Sequence, residues 1–283
     1  MQTKPVSTNE VNQNGGNPYK VAAIQMVSST RLEDNLARAG KLIAEAAAAG
    51  ARLIALPEYF CLMGSHDHDK VGIREPHGGG VIQDFLRDQA KRHGIWLVGG
   101  TLPLESGEQD RIYNTSLVFD PEGREVARYD KIHLFGFSRG DESYDESVSI
   151  RPGDIAPRTF DSDMGKVGLA ICYDLRFPEL FRAFGDVSLI VLPAAFTYTT
   201  GSAHWELLLR ARAVENQCYV LASAQGGRHE NGRRTWGHSM LIDPWGNVVD
   251  RVEEGEGFAI GTIDKARLSA TRESLPALKH RRL

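Results

Sequence analysis

The chain has 283 residues, 41% hydrophobic and 25% charged, with a formal net charge of −4. This is globular composition with length enough for a large core, and no basic stripe makes nucleic acid a default partner. Apolar runs stop well short of the ~20 residues a membrane helix needs, and three cysteines without a CxxC pair exclude a disulfide framework and a finger-type zinc site.

Residues 1–18, MQTKPVSTNEVNQNGGNP, are polar and lack the apolar core of a signal peptide. They are expected to form a disordered leader, with residues 19–283 as one domain and a cytoplasmic address. VAAIQM at 21–26 predicts a buried strand. A helix follows over 31–49, where Leu36, Ala39, Leu42, Ile43 and Ala46 keep helical spacing and Gly50 stops it. RLIALPE at 52–58 predicts a second strand, VIQDFLRDQAKRH at 81–93 a helix, and IWLVGGTLP at 95–103 a third strand. IYNTSLVFD and GREVARYDKIHL read as a hairpin around Pro121 and Gly123. Residues 135–165 read as a long irregular stretch, a length that is often functional.

Strand and helix alternate again through KVGLAICYD, PELFRAFG and VSLIVLPAAF. A helix is expected over 201–217, a strand over 218–225, and a loop at GGRHENGRR. A hairpin turn at Asp243 to Gly246, a strand GFAIGTID and a helix from about Lys265 complete the pattern. It predicts an α/β fold with mixed sheets, two of them, each covered by helices.

Three polar residues each end an apolar strand: Glu58 after LIALP, Lys131 after EVARYD, and Cys172 after VGLAI. Sites in α/β sheets gather beyond strand ends, so the three can converge. A thiolate attacks a carbonyl carbon, a shielded carboxylate serves as base and then acid, and a fixed ammonium stabilises the oxyanion. Periodicity alone leaves each one open: Cys172 as a small buried hydrophobe, Glu58 as a loop carboxylate, Lys131 as a solvated lysine. Cys61 and Cys218 read as structural.

LPEYF at 56–60, YDKIHLF at 129–135 and GLAICYDLRFPEL at 168–180 resemble the three signature motifs of the nitrilase (carbon–nitrogen hydrolase) superfamily. The similarity runs over roughly residues 20–283. It implies a four-layer αββα sandwich, an amidase that works without a cofactor through a cysteine thioester, and a small-molecule amide as substrate. By motif, Glu58 is the base, Lys131 the oxyanion stabiliser, Cys172 the nucleophile, and the Tyr173 N–H a second oxyanion donor. A further glutamate before the Pro-Gly-Asp turn fits Glu146 best, with Glu142 as the competitor. The resemblance also implies a homodimer or higher homo-oligomer. The segments 193–229 and 236–246 look like the branch that contains deaminated glutathione amidase and ω-amidase. The first reaction would give 2-oxoglutarate and cysteinylglycine; the second releases ammonia.

Around these motifs, Phe196 and Thr197 follow the strand VLPAA and are expected to line the pocket. Arg176 and Glu179 are expected to pair at the helix that Pro178 opens. Arg139, Arg228, Arg233 and Arg234 lie in candidate lid loops and could meet substrate carboxylates, although a solvated charge run accounts for most of them. HDHD at 66–69 has metal-ligand types without an obvious third ligand, His204 is expected to pack near a helix start, and Gly78 to Gly80 reads as a plain loop. The other classes that remain are a metal-dependent hydrolase using 66–69, which chelation would silence, and a non-catalytic binding protein.

Overall fold

The fold is that of a computed structural model, which describes residues 19–140 and 142–282. The leader expected over 1–18 lies outside the described residues. One sheet has the strand order Gly257–Ile263, Tyr19–Gln25, Ala51–Ala55, Trp96–Val98, Ile112–Phe119, Leu102–Glu105, and Glu125–Asp130 also pairs with Ile112–Phe119. The other runs Val248–Arg251, Met240–Ile242, Tyr219–Ala224, Leu189–Ala194, Gly165–Leu169, Arg158–Ser162. Both are mixed. Parallel pairs such as Tyr19–Gln25 with Ala51–Ala55, and Leu189–Ala194 with Tyr219–Ala224, lie at their centres.

Side-chain alternation explains the layering. Along Tyr19–Gln25, Val21 and Ala23 join a core shared with the second sheet, while Ala22 and Ile24 join a core under the helices Leu32–Ala48 and Val81–His93. Leu53 and Ala55 divide from Ile54 in the same way. Successive strand side chains point to opposite faces, so a strand covered on both sides reads as one unbroken apolar run. The helix Leu32–Ala48 meets its sheet through Ala39, Leu42, Ile43 and Ala46, the spacing of one helical face. Beyond the second sheet, Trp205, Leu209 and Ala213 of the helix Tyr198–Asn216 and Phe181 of Pro178–Ala183 complete the packing. The order is helices, sheet, sheet, helices: an αββα sandwich. Ser223 stitches the sheets, its hydroxyl donating to the carbonyls of Ala55 (3.0 Å) and Ile24. Truncating a filled position such as Leu209 to Ala would cost about 2–5 kcal/mol.

Several elements depart from the sequence pattern. The run 95–103 is two strands, broken at Gly99 and Gly100. Gly100 has φ 57°, and a Cβ there would lie 2.2 Å from the carbonyl oxygen of Pro57, so only glycine lets the chain pass this close. The strand expected over 52–58 ends at Ala55, and that over 166–174 ends at Leu169. Glu58 and Cys172 therefore stand on turns beyond their strands. The stretch 135–165 is not irregular throughout: Gly136–Arg139 pairs with Glu142–Asp145 as a hairpin, and a 3-10 turn spans Glu146–Val148. The loop expected at 226–234 is a second hairpin, Gly226–Arg228 with Arg234–Trp236. Among the described residues no helix is long and apolar enough to cross a membrane.

Candidate active site

The turn after Gly165–Leu169 is built around Asp174. Its buried carboxylate accepts from the Ile171 N–H (2.8 Å), the Tyr129 hydroxyl (2.7 Å) and the His133 N–H (3.3 Å), and it pairs with His133 Nδ1 at 2.7 Å. One carboxylate thus ties the segment that carries Lys131 to the turn that carries Cys172. Cys172 opens the 3-10 segment Cys172–Arg176 with φ 47°, a left-handed conformation rare for a residue with a Cβ. Tyr173, next in that first turn, has a backbone N–H in the position that helical segments leave without an internal partner.

Glu58 is set by its own supports. The Leu56 N–H bonds to the Val98 carbonyl (3.0 Å), Gln225 Nε2 donates to the Glu58 carbonyl (3.0 Å), and the Tyr59 N–H donates to Thr101 Oγ1 (2.9 Å). Tyr59 is left-handed too, at φ 57°. Lys131, the residue after Glu125–Asp130, is fully buried at 0% exposure, with Glu58 at 1% and Cys172 at 6%. Its Nζ donates to Glu58 Oε1 (2.8 Å) and to both Glu146 oxygens (3.0 and 2.8 Å). Asn114 Nδ2 donates to Glu58 Oε1 (2.9 Å), the Tyr59 hydroxyl to Glu146 Oε1 (2.6 Å), and the Phe135 N–H to Glu146 Oε2 (2.7 Å). The Cys172 thiol and the Glu58 carboxylate face one cavity and act on each other's proton affinity.

One ammonium between two carboxylates sets the electrostatics. Burial alone would lower the Lys131 pKa, but Glu146 and Glu58 reverse that and hold it well above its ordinary value. Burial works to raise Glu146 as well; Lys131, the Phe135 N–H and the Tyr59 hydroxyl override it, and its pKa is lowered. Glu58 has fewer donors. Burial raises its pKa, Lys131 opposes, and the Glu146 charge adds to the rise. Burial and the Glu58 charge also push the Cys172 thiol well up, against the pull of Lys131. Glu146 is thus the permanent counter-ion of Lys131, and Glu58 is the carboxylate with appetite for a proton.

A cavity of about 330 Å3 sits over the thiol. Glu58, Glu146, Cys172, Tyr173, Phe196 and Thr197 all line it, as do Tyr59, Phe135, Arg176 and Arg233. Phe196 is buried against Trp205, ring centroids 4.9 Å apart. Thr197 also caps the helix Tyr198–Asn216, its hydroxyl accepting from the Thr200 N–H (3.3 Å), which is why the helix begins before the expected residue 201. Glu142 is elsewhere: it accepts from the Thr199 hydroxyl at 2.9 Å, so Glu146 is the glutamate beside Lys131.

The expected Arg176–Glu179 pair does not form. Among the described residues Arg176 meets no carboxylate; its guanidinium lies over the rings of Phe196 (5.4 Å) and Tyr173 (5.8 Å), inside the cavity wall. Pro178 does open the helix Pro178–Ala183. Of the lid arginines, Arg233 reaches the cavity, Arg234 stacks on Tyr198 and pairs with Glu254 (3.3 Å), and Arg139 and Arg228 are exposed. Sequence reasoning missed Tyr59, Asn114 and Phe135. Tyr59 and Phe135 stand inside the quoted motifs, a signal that could have been used; Asn114, mid-strand, carries none.

The remaining candidates have structural partners. Asp69 of HDHD accepts from the N–H groups of Ser65 (2.8 Å) and His66 (3.0 Å) and shapes the loop. Among the described residues no three His, Cys, Asp or Glu side chains group to hold a metal. The N-terminus of Val81–His93 is filled by Glu75, whose carboxylate accepts from the Ile82 (2.6 Å) and Gln83 (3.2 Å) N–H groups. His204 is exposed rather than packed, and Arg176 reaches its Nδ1 at 3.3 Å. Cys61 and Cys218 are buried free thiols, each pushed up to about 12 by burial.

Residues 20–273 match the family model described as carbon–nitrogen hydrolase. A deaminated glutathione amidase of Synechocystis is 41% identical over 269 residues, which cover 93% of this chain and 98% of that protein. An omega-amidase of Mus musculus is 38% identical over 93% of this chain and 95% of its own length. Among solved structures, the NitFhit protein of C. elegans superposes with a TM-score of 0.82 at 37% identity, over 93% of this chain; this chain spans 65% of that one. The chain belongs to the carbon–nitrogen hydrolase family. It is accordingly an enzyme that hydrolyses carbon–nitrogen bonds of amides.

Proposed function

We propose that residues 19–283 act as one thiol amidase domain that works through a Cys172 thioester, and that its substrate is deaminated glutathione. The convergence of the buried Cys172 thiol and the Glu58 carboxylate on one cavity, with Lys131 bonded to Glu58, carries the mechanism. Glu58 takes the thiol proton as sulfur attacks the amide carbon. The oxyanion forms against the Lys131 ammonium and the Tyr173 N–H, donors already positioned in a buried site. Glu58 then gives its proton to the leaving nitrogen, and the amine departs. Water, deprotonated by Glu58, attacks the thioester; the carboxylic acid leaves and sulfur recovers its proton. The Glu146 carboxylate accepts from Lys131, the Tyr59 hydroxyl and the Phe135 N–H, and it keeps Lys131 charged and aimed.

Arg176 and Arg233, which have no carboxylate partner among the described residues, line the cavity and support an acidic substrate. Deaminated glutathione would yield 2-oxoglutarate and cysteinylglycine. An ω-amidase acting on 2-oxoglutaramate is the second reading, supported by the similarity to the Mus musculus enzyme. A matched assay separates them: kcat/KM is expected to favour deaminated glutathione, and a clear preference for 2-oxoglutaramate would reverse the choice.

Three free buried thiols support a reducing, cytoplasmic setting. Leu207 and Val214, seven residues apart on the helix Tyr198–Asn216, are exposed, as is Trp245 in the adjoining turn, which supports a homodimer through this face.

A further inference from the structure

Beside the catalytic cavity, and sharing Tyr59 and Arg233 with it, lies an outer cavity of about 600 Å3. Lys70, Met63, Ser143 and Tyr144 supply much of its remaining wall. Lys70 Nζ donates to Ser149 Oγ (3.2 Å) and lies 5.5 Å over the Tyr59 ring. The Arg233 guanidinium lies 5.1 Å over the Tyr144 ring. Among the described residues neither cation makes an ion pair, and they are near enough to repel one another. The carboxylates that act on Lys70 are Glu146 and Asp67. Glu146 is engaged by Lys131, Tyr59 and the Phe135 N–H, and Asp67 is exposed at the rim. Two cations with donors to spare, facing one cavity, form a place for an anion.

Tyr59 relates this place to the chemistry. Its hydroxyl donates to Glu146, the partner of Lys131, while Lys70 stands over its ring. The anion site is therefore about one aromatic side chain away from the reacting centre, and a dipeptide extends about 7 Å. We propose that Lys70 and Arg233 bind the terminal carboxylate of the amine that leaves, so that the enzyme takes amides whose nitrogen carries a short peptide-like acid. This rests on the amidase reading above and deepens it: a primary amide that releases ammonia has nothing to place in the outer cavity.

The test is binding of cysteinylglycine and of its C-terminal carboxamide to the Cys172→Ala variant, measured by titration calorimetry. The acid is expected to bind about tenfold or more tightly than the amide, the size of a charge-assisted contact. Lys70→Met and Arg233→Met should each erase the preference, and Lys70→Arg, which keeps the charge, should retain it. Equal affinity for acid and amide, no binding of either, or a preference that survives both Met substitutions would overturn the proposal. Turnover is a separate readout. A preference for 2-oxoglutaramate in the matched assay, with the carboxylate preference intact, would reject the deaminated glutathione reading and leave this site standing.

Discussion

Around Lys131 every charge has a partner at 2.8–3.0 Å, and the second carboxylate has two further donors, the Tyr59 hydroxyl and the Phe135 N–H. A few side chains away, Arg176, Arg233 and Lys70 meet aromatic rings and, among the described residues, no carboxylate. The inner network pairs its charges internally, which suits groups that must be aimed before the reaction starts. The outer cations keep donors in reserve, which suits groups that complete their bonds only with a ligand. Arg176 shares the turn of Cys172, whereas Arg233 and Lys70 stand apart, between the paired strands Gly226–Arg228 and Arg234–Trp236 and in the segment Asp69–Gly72; the chemistry is thus placed on the turns between the sheets and the proposed selectivity on these outer segments.

Substitutions on each side should behave accordingly. Lys131→Met strands two buried carboxylates. Breaking a buried ion pair costs about 3–5 kcal/mol, and losing the oxyanion partner should lower kcat by about 10³-fold; urea unfolding and steady-state rates read the two. An unchanged unfolding midpoint would contradict the network described here. The pH profile comes next. The working form of Glu58 is the carboxylate, and burial raises its affinity for a proton. kcat/KM should therefore fall about tenfold per pH unit below a pKa that lies above the ordinary value of 4.5. An acid limb at or below 4.5 would remove Glu58 as the base. Tyr59→Phe deletes one bond to a charged acceptor and should cost about 1.5–3 kcal/mol in stability. Arg139→Ala, on the exposed hairpin, should change stability by less than about 0.5 kcal/mol; a larger loss would mean that the outer hairpins carry structure as well as selectivity.

The sequence made the inner network largely legible and the outer one hardly at all. Glu58 and Cys172 follow apolar runs and Lys131 follows the strand EVARYD, so local pattern placed them at sheet ends, and motif resemblance brought them together. Glu146 was separable from Glu142 only in space, since both lie in one charged stretch and just one faces Lys131. Asn114 faces Glu58 from the middle of a strand, and strand alternation says which face a residue takes but not what stands opposite. Arg176 looked like half of a helix-start ion pair because Glu179 is near in sequence. The 3-10 turn instead carries it over Tyr173 and Phe196. The break at Gly100 depends on the Pro57 carbonyl, distant in sequence. Local rules see neighbours along the chain; these contacts join residues that only the sandwich brings near.

The central claim is that Cys172 carries the acyl group. Acid-quenched enzyme, taken during turnover of an amide substrate and weighed by intact-protein mass spectrometry, should show the acyl adduct, and peptide mapping should place it on Cys172. The Cys172→Ala variant should show neither adduct nor turnover. Turnover that persists in that variant, or an adduct on Cys61 or Cys218, would contradict the account.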